Sequence, residues 1–210
     1  MHSYVLQADG LCCERGDRTL FKALSFKLLT GDVLKLQGAN GTGKTSLLRI
    51  LAGLLSAQEG HVLWSGEPIS QHISSYCAQL HYIGHTSGIK RDLTVYESLS
   101  LMQTLCGNTQ GTVLDAAKKL QLESLLERSF DALSAGQKRR VALAKLVLCH
   151  KPLWLLDEPF TAMDAEGIVL VQHLLTQHAK QGGISVVSTH QPLELPEISV
   201  QLRHLGALPA

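Results

Sequence analysis

Eight consecutive residues, Gly38-Ala39-Asn40-Gly41-Thr42-Gly43-Lys44-Thr45, have the make-up of a polyphosphate cradle. Glycines let successive backbone N–H groups turn onto an anion with no Cβ in the way, and a helix start behind them adds partial positive charge. Lys44 is placed to reach the β- and γ-phosphates, the Thr45 hydroxyl is an oxygen ligand suited to magnesium, and Ser46 completes the binding run. An idle glycine-rich turn is the alternative, but with Gly near 7% of residues the four fixed positions arise by chance in roughly 1% of chains of this size. Farther along, Leu153-Trp154-Leu155-Leu156 leads into Asp157-Glu158. Strand side chains alternate, so the two carboxylates face different partners. Asp157 is suited to hold magnesium through water, and Glu158 to accept a proton from, or orient, a water attacking a γ-phosphate.

Chemistry of this kind needs elements that deliver all these groups to one edge. Val33-Leu34-Lys35-Leu36 reads as a strand before the glycine loop, and Leu47, Ile50, Leu51 and Leu54 behind it fall at helical spacing. Leu153–Leu156 and Ile184-Ser185-Val186-Val187 read as buried strands, with a helix marked by Val171, Leu174 and Leu175 between them. The pattern predicts an α/β domain with ligands beyond the carboxyl ends of its strands. Residues 88–150 differ: Leu114, Ala117, Leu122, Leu125 and Leu126, then Val141, Ala144 and Leu148, predict helices, with Gly107 and Gly111 in a loop. They read as a helical subdomain inserted into a core of residues 1–87 and 151–210, all within one domain. Gly60–Gly66 reads as a short strand and turn in a small antiparallel β edge.

Composition narrows the function classes. The chain has 210 residues, 45% hydrophobic and 18% charged, with 19 Lys+Arg against 18 Asp+Glu and a net charge of +1. That balance supplies no long-range attraction to nucleic acid. The most apolar stretch, Val141–Leu156, is broken by Lys145, His150, Lys151 and Pro152, short of the roughly 18–20 apolar residues of a membrane span. No basic stretch followed by an apolar run opens the chain, so cytoplasmic residence is expected. The five cysteines, Cys12, Cys13, Cys77, Cys106 and Cys149, lack CxxC spacing and read as structural or surface thiols rather than a disulfide framework or zinc site.

Twenty residues before Asp157 stands Leu133-Ser134-Ala135-Gly136-Gln137. Ser134 reads as a helix N-cap ahead of a basic first turn. In this order of motifs the chain resembles the ATP-binding cassette (ABC) ATPase family, whose LSGGQ signature is present as LSAGQ with Ala135 in place of the first glycine. Pro159–Asp164 is similar to the family's D-loop, and Ser188-Thr189-His190 to its switch histidine, which the resemblance sets beside the γ-phosphate and the water held by Glu158. From about residue 5 to 200 the likeness implies a homodimer with ATP between two protomers. One supplies Lys44, Thr45, Asp157, Glu158 and His190, and the other closes over the γ-phosphate with Ser134 and Gly136, beside Gln137.

Two positions depart from the family. The Q-loop glutamine position falls on His85, whose imidazole accepts from a magnesium-bound water only when neutral. The adenine-stacking aromatic is replaced by Arg15, where a guanidinium stacked on the base and a solvated arginine stand as alternatives.

The stretches LSAGQKRRVALAKL (133–146) and LDEPFTAMD (156–164), the short length and His85 are similar to one branch, the ATP-binding subunits of cytochrome c biogenesis described as haem exporters. That likeness implies an ATPase at the cytoplasmic face of the bacterial inner membrane, partnered by integral membrane permease subunits. Ten histidines and five cysteines do not put haem on this chain: they are scattered and no CxxCH occurs. A soluble ABC-type ATPase acting on ribosomes or nucleic acid is the alternative; such proteins usually carry two cassettes or a long coiled coil, and residues 88–150 lack heptads. A small P-loop kinase would need neither the signature nor the switch histidine.

Overall fold

Two long strands, β1 (Val5–Arg15) and β2 (Arg18–Leu29), pair antiparallel through a hairpin at Gly16. The computed structural model describes residues 3–16, 18–85, 88–106 and 111–206, so Gly107 lies outside it. After the hairpin come β3 (Val33–Gln37), the glycine loop and α1 (Lys44–Leu51). The chain then returns through β4 (Glu59–Trp64) and the two-residue β5 (Glu67–Pro68), completing an antiparallel sheet in the order β2-β1-β4-β5. The strand read at Gly60–Gly66 is therefore inside a four-stranded sheet, between β1 and β5.

A short helix, α2 (Ile73–Cys77), leads to β6 (Leu80–Ile83). Three helices follow: α3 (Val95–Cys106), α4 (Val113–Lys119) and α5 (Ala135–Leu148). Next are β7 (Leu153–Asp157), α6 (Ala165–Lys180), β8 (Ile184–Ser188) and β9 (Val200–His204). The second sheet runs β6-β7-β8-β3-β9, parallel throughout. Every residue of β7 and β8 is buried, which is why both read as unbroken apolar runs rather than alternating ones.

The chain divides into two units. One comprises Met1–Gly84, Pro152–Pro159 and Gln172–Ala210, the other His85–Lys151 and Phe160–Val171. In the first, α1 buries Leu47, Leu48, Ile50 and Leu51 in a core that also holds Leu6 and Leu11 of β1, Leu34 and Leu36 of β3, Leu155 and Val186. Truncating one of these leucines to alanine costs about 2–5 kcal/mol. The helix stops sooner than its periodicity suggests. Gly53 takes φ 71°, and the Leu54 N–H donates to the Arg49 carbonyl at 2.8 Å, closing the last turn and leaving Leu54 62% exposed.

The second unit holds α3, α4 and α5. There a disulfide joins Cys106, at the end of α3, to Cys149, the C-cap of α5, with Cα atoms 6.1 Å apart. This corrects the expectation of five separate thiols: two helix ends bring together cysteines 43 residues apart in sequence. Cys12, Cys13 and Cys77 are free. Among the described residues no helix is long and apolar enough to cross a membrane.

Candidate functional site

Strand register assembles the site. β3, β7 and β8 are parallel neighbours, with Leu36 and Asp157 both paired to Ser188, so their carboxyl ends finish level. The glycine loop therefore opens at the sheet edge where Asp157 emerges, as open parallel sheets dictate.

Within the loop, Gly41 and Gly43 adopt φ 80° and 99°, and a Cβ on Gly38 would collide with the Leu205 carbonyl and the Thr42 hydroxyl. The Lys44 ammonium donates to the carbonyls of Gly38 at 2.6 Å and Ala39 at 3.1 Å, curling over the loop. The Thr42 hydroxyl donates to the Ala39 carbonyl at 2.9 Å and fixes the same turn, which contains Asn40. Lys44 Nζ also lies 3.4 Å from His190 Nε2, and that nitrogen is 3.7 Å from Glu158 Oε1. Lysine, histidine and glutamate, read separately from three motifs, thus form one chain of contacts.

On the other side of the loop the Thr45 hydroxyl donates to Asp157 Oδ2 at 2.8 Å. Asp157 is 2% exposed, and its Oδ1 accepts from the Ser188 hydroxyl at 2.6 Å. Ser188 also accepts from the Glu158 N–H, through its Oγ and its carbonyl, both at 3.0 Å. Glu158 itself takes φ 49°, a left-handed conformation unusual outside glycine and of the kind that collects at functional sites. One buried serine hydroxyl therefore holds the first carboxylate and the backbone of the second.

His190 sits on a turn pinned on both sides. The Thr189 N–H donates to the Leu36 carbonyl, the Gln191 N–H to the Thr189 hydroxyl, and the Lys35 ammonium to the Gln191 carbonyl at 2.8 Å. Ser188, Thr189 and Lys35 were not singled out by role in the sequence; only the pairing of β3 and β8 reveals what they do.

Arg15 ends β1 and is exposed. The hairpin meets the phosphate loop at two places: a Cβ on Gly43 would come within 3.0 Å of Leu20 Cβ and 3.1 Å of Phe21 Cδ1, and Ser46 hydrogen-bonds the Cys13 thiol. Burial pushes that thiol above its ordinary range, so it stays protonated and unreactive.

Ser134, Gly136, Gln137 and His85 belong to the second unit. Ser134 is the N-cap of α5, as its sequence context predicts, and forms a full capping box. Its hydroxyl accepts from the Gln137 N–H at 3.3 Å, and Gln137 Oε1 accepts from the Ser134 N–H at 2.9 Å. Gly136 packs tightly, since a Cβ there would lie 2.5 Å from the Ala162 carbonyl oxygen. Ala135 is exposed on the first turn of α5, which explains why alanine is tolerated at the first signature position and not at the second. Asp164 Oδ1 accepts from the Gly167 N–H at 2.9 Å and from Arg140 at 2.7 Å. These two donors, the amide first, hold its carboxyl below the usual range. His85 is exposed and, with Ala135, Lys138, Arg139, Thr161 and Ala162, lines a cavity of about 260 Å³.

The pattern of the ABC transporter family matches residues 21–161. The cytochrome c biogenesis ATP-binding export protein CcmA of Escherichia coli K12 is 44% identical over 197 residues, covering 94% of each chain. That of Aliivibrio fischeri is 40% identical over 203 residues, covering 96% of this chain and all of its own. Among solved structures, a Pyrococcus furiosus chain described as an ABC transporter ATP-binding protein superposes with a TM-score of 0.80 at 25% identity, covering 96% of this chain and 97% of that one. On these likenesses, and on the loop, carboxylates and signature helix described above, the chain belongs to the ABC transporter ATP-binding family, in the branch of the cytochrome c biogenesis ATP-binding export proteins.

Proposed function

We propose that this chain is the ATP-hydrolysing subunit of a membrane ABC complex serving cytochrome c biogenesis, in haem export or the release of a haem-loaded chaperone. It works as a homodimer at the cytoplasmic face of the inner membrane, with integral membrane permease subunits. The observation that carries the reading is the convergence of Lys44, His190 and Glu158 on one side of the glycine loop and of Thr45, Asp157 and Ser188 on the other. Near-full-length similarity to export proteins of cytochrome c biogenesis supports the cellular assignment.

The backbone of Gly38–Gly43 and the start of α1 take the phosphates of ATP, Lys44 bridges the β- and γ-phosphates, and Ser46 joins them from the helix. Magnesium fits the donor set. A hydroxyl and a carboxylate 2.8 Å apart are the hard oxygens it prefers, and among the described residues no cluster of three or more His, Cys, Asp or Glu side chains competes as a closed metal cage. Thr45 and Asp157 would hold it; when bound, it neutralises charge on the phosphate oxygens. Glu158 accepts the proton of the attacking water, and His190, touching both Glu158 and Lys44, orients that water against the γ-phosphate. Ser134 and Gly136 of the second protomer, set by the Gln137 capping box, complete the site from a helix N-terminus. Arg15 stacks on the adenine from the hairpin tip.

The test is a cell whose only copy carries Lys44→Ala. The expected result is a folded subunit that still co-purifies with its permease from detergent-solubilised membranes, with ATP turnover and c-type cytochrome maturation both lost. Maturation at the normal level without turnover would contradict the assignment, and RNase-sensitive association with ribosomes would favour the soluble alternative.

A further inference from the structure

The hairpin sets two arginines against each other. Arg15 lies directly opposite Arg18, Glu14 opposite Thr19, and the register then slips so that Cys13 faces Phe21. The slip is a bulge at Leu20: two residues of β2 oppose one of β1, and both Leu20 and Phe21 are buried. Alternation away from the bulge puts Arg18 on the face of Leu20 and Arg15 on the face of Cys13. Thr19 and Glu14 take the opposite face, where their side chains hydrogen-bond at 3.4 Å. The arginine face is the one that meets the phosphate loop, through Leu20 and Phe21 at Gly43 and through Cys13 at Ser46. Each arginine lies two strand positions from its contact residue, on the side of the hairpin turn: Arg15 after Cys13 and Arg18 before Leu20. That is roughly 7 Å, a distance a guanidinium spans.

Like charges directly opposite on paired strands destabilise the pairing. Both arginines are exposed, and among the described residues neither guanidinium has a hydrogen-bond or ion-pair partner. Among the described residues the fold thus places two positive charges with no ion-pair partner beside a loop built for a polyanion.

We propose that Arg18 is a second nucleotide-binding residue, donating to the α-phosphate while Arg15 stacks on the base, so that the pair grips the nucleoside end of ATP. The inference rests on the ATP reading above and adds to it. Lys44 serves the β- and γ-phosphates, and a planar guanidinium matches a phosphate edge with two parallel donors. The anion relieves the repulsion across the hairpin, so nucleotide binding and hairpin stability rise together.

The experiment measures magnesium-dependent binding of ATP, GTP and inorganic tripolyphosphate to wild type, Arg18→Ala, Arg18→Lys, Arg15→Ala and Lys44→Ala. Arg18→Ala is expected to weaken all three ligands about tenfold, as loss of one charged hydrogen-bonding group does. Arg18→Lys recovers part of that loss, and Arg15→Ala weakens the two nucleotides more than tripolyphosphate. Without ligand, Arg18→Ala keeps or raises the melting temperature, because the repulsion across the hairpin is relieved and no hydrogen bond or ion pair among the described residues is lost, while its gain on adding ATP shrinks. Less than a twofold change for every ligand overturns the proposal, and a loss confined to ATP and GTP overturns the α-phosphate contact. Failure of wild type to bind ATP, or undiminished binding by Lys44→Ala, would instead overturn the ATP reading itself.

Discussion

Ser188 carries more of the site than its place before His190 suggests. Its hydroxyl donates to Asp157 Oδ1 at 2.6 Å and accepts from the Glu158 N–H, in a position with no solvent exposure. A hydrogen bond to a buried charged group contributes about 1.5–3 kcal/mol. Ser188→Ala is therefore expected to lower stability by that amount and to reduce kcat about tenfold with little change in the KM for ATP, because phosphate binding by the loop is untouched while the carboxylates loosen. Steady-state kinetics beside a denaturant titration check this. Equal losses in kcat and in ATP affinity would place the effect in general misfolding of the loop. The placing of Lys44, Asp157 and Glu158 at one sheet edge was legible in the sequence because the motif is local: each residue lies within a few positions of the loop or strand end that presents it. Ser188 was not, since its role exists only where β8 pairs in register with β7.

At the scale of elements, α5 joins the signature to a partly buried lysine. Desolvation, with the Arg139 charge as a lesser cause, pulls the Lys145 ammonium down to about 8. A lysine whose pKa is lower folded than unfolded is bound by fewer protons in the native state between about pH 8 and 10.5, so its contribution makes stability rise with pH over that window. Below about pH 8 both states are protonated and the burial penalty stands in full. Lys145→Met is predicted to stabilise the protein at pH 7 by about 2 kcal/mol, discounted for the residue's partial exposure, and to remove the rise between pH 8 and 10. Denaturant midpoints across pH 7–10 measure both effects; an unchanged slope would show that Lys145 keeps its proton in the fold. Elements also mark where sequence reading stopped. β1 and β2 are the longest strands, yet register shifts between Ala8 and Glu14 scramble the alternation that would have announced them. Likewise the spacing of Cys106 and Cys149 says nothing of a pairing made by two helix ends.

Over the whole molecule, the charge is near neutral, and among the described residues no helix is long and apolar enough to cross a membrane. The α/β class was readable from apolar runs separated by helical spacing. The four-stranded antiparallel sheet was less so, because its two long strands are bulged and half exposed and β5 has only two residues. Under the proposed function, Glu158 activates water at an ATP site completed by a second copy. Glu158→Gln tests it most directly, by ATP turnover measured alongside light scattering of the purified subunit with magnesium and ATP. The expected result is a nucleotide-bound dimer that persists while turnover falls at least a hundredfold, in the range of a lost general base. Turnover at the wild-type rate, or a monomer that hydrolyses ATP, would contradict it.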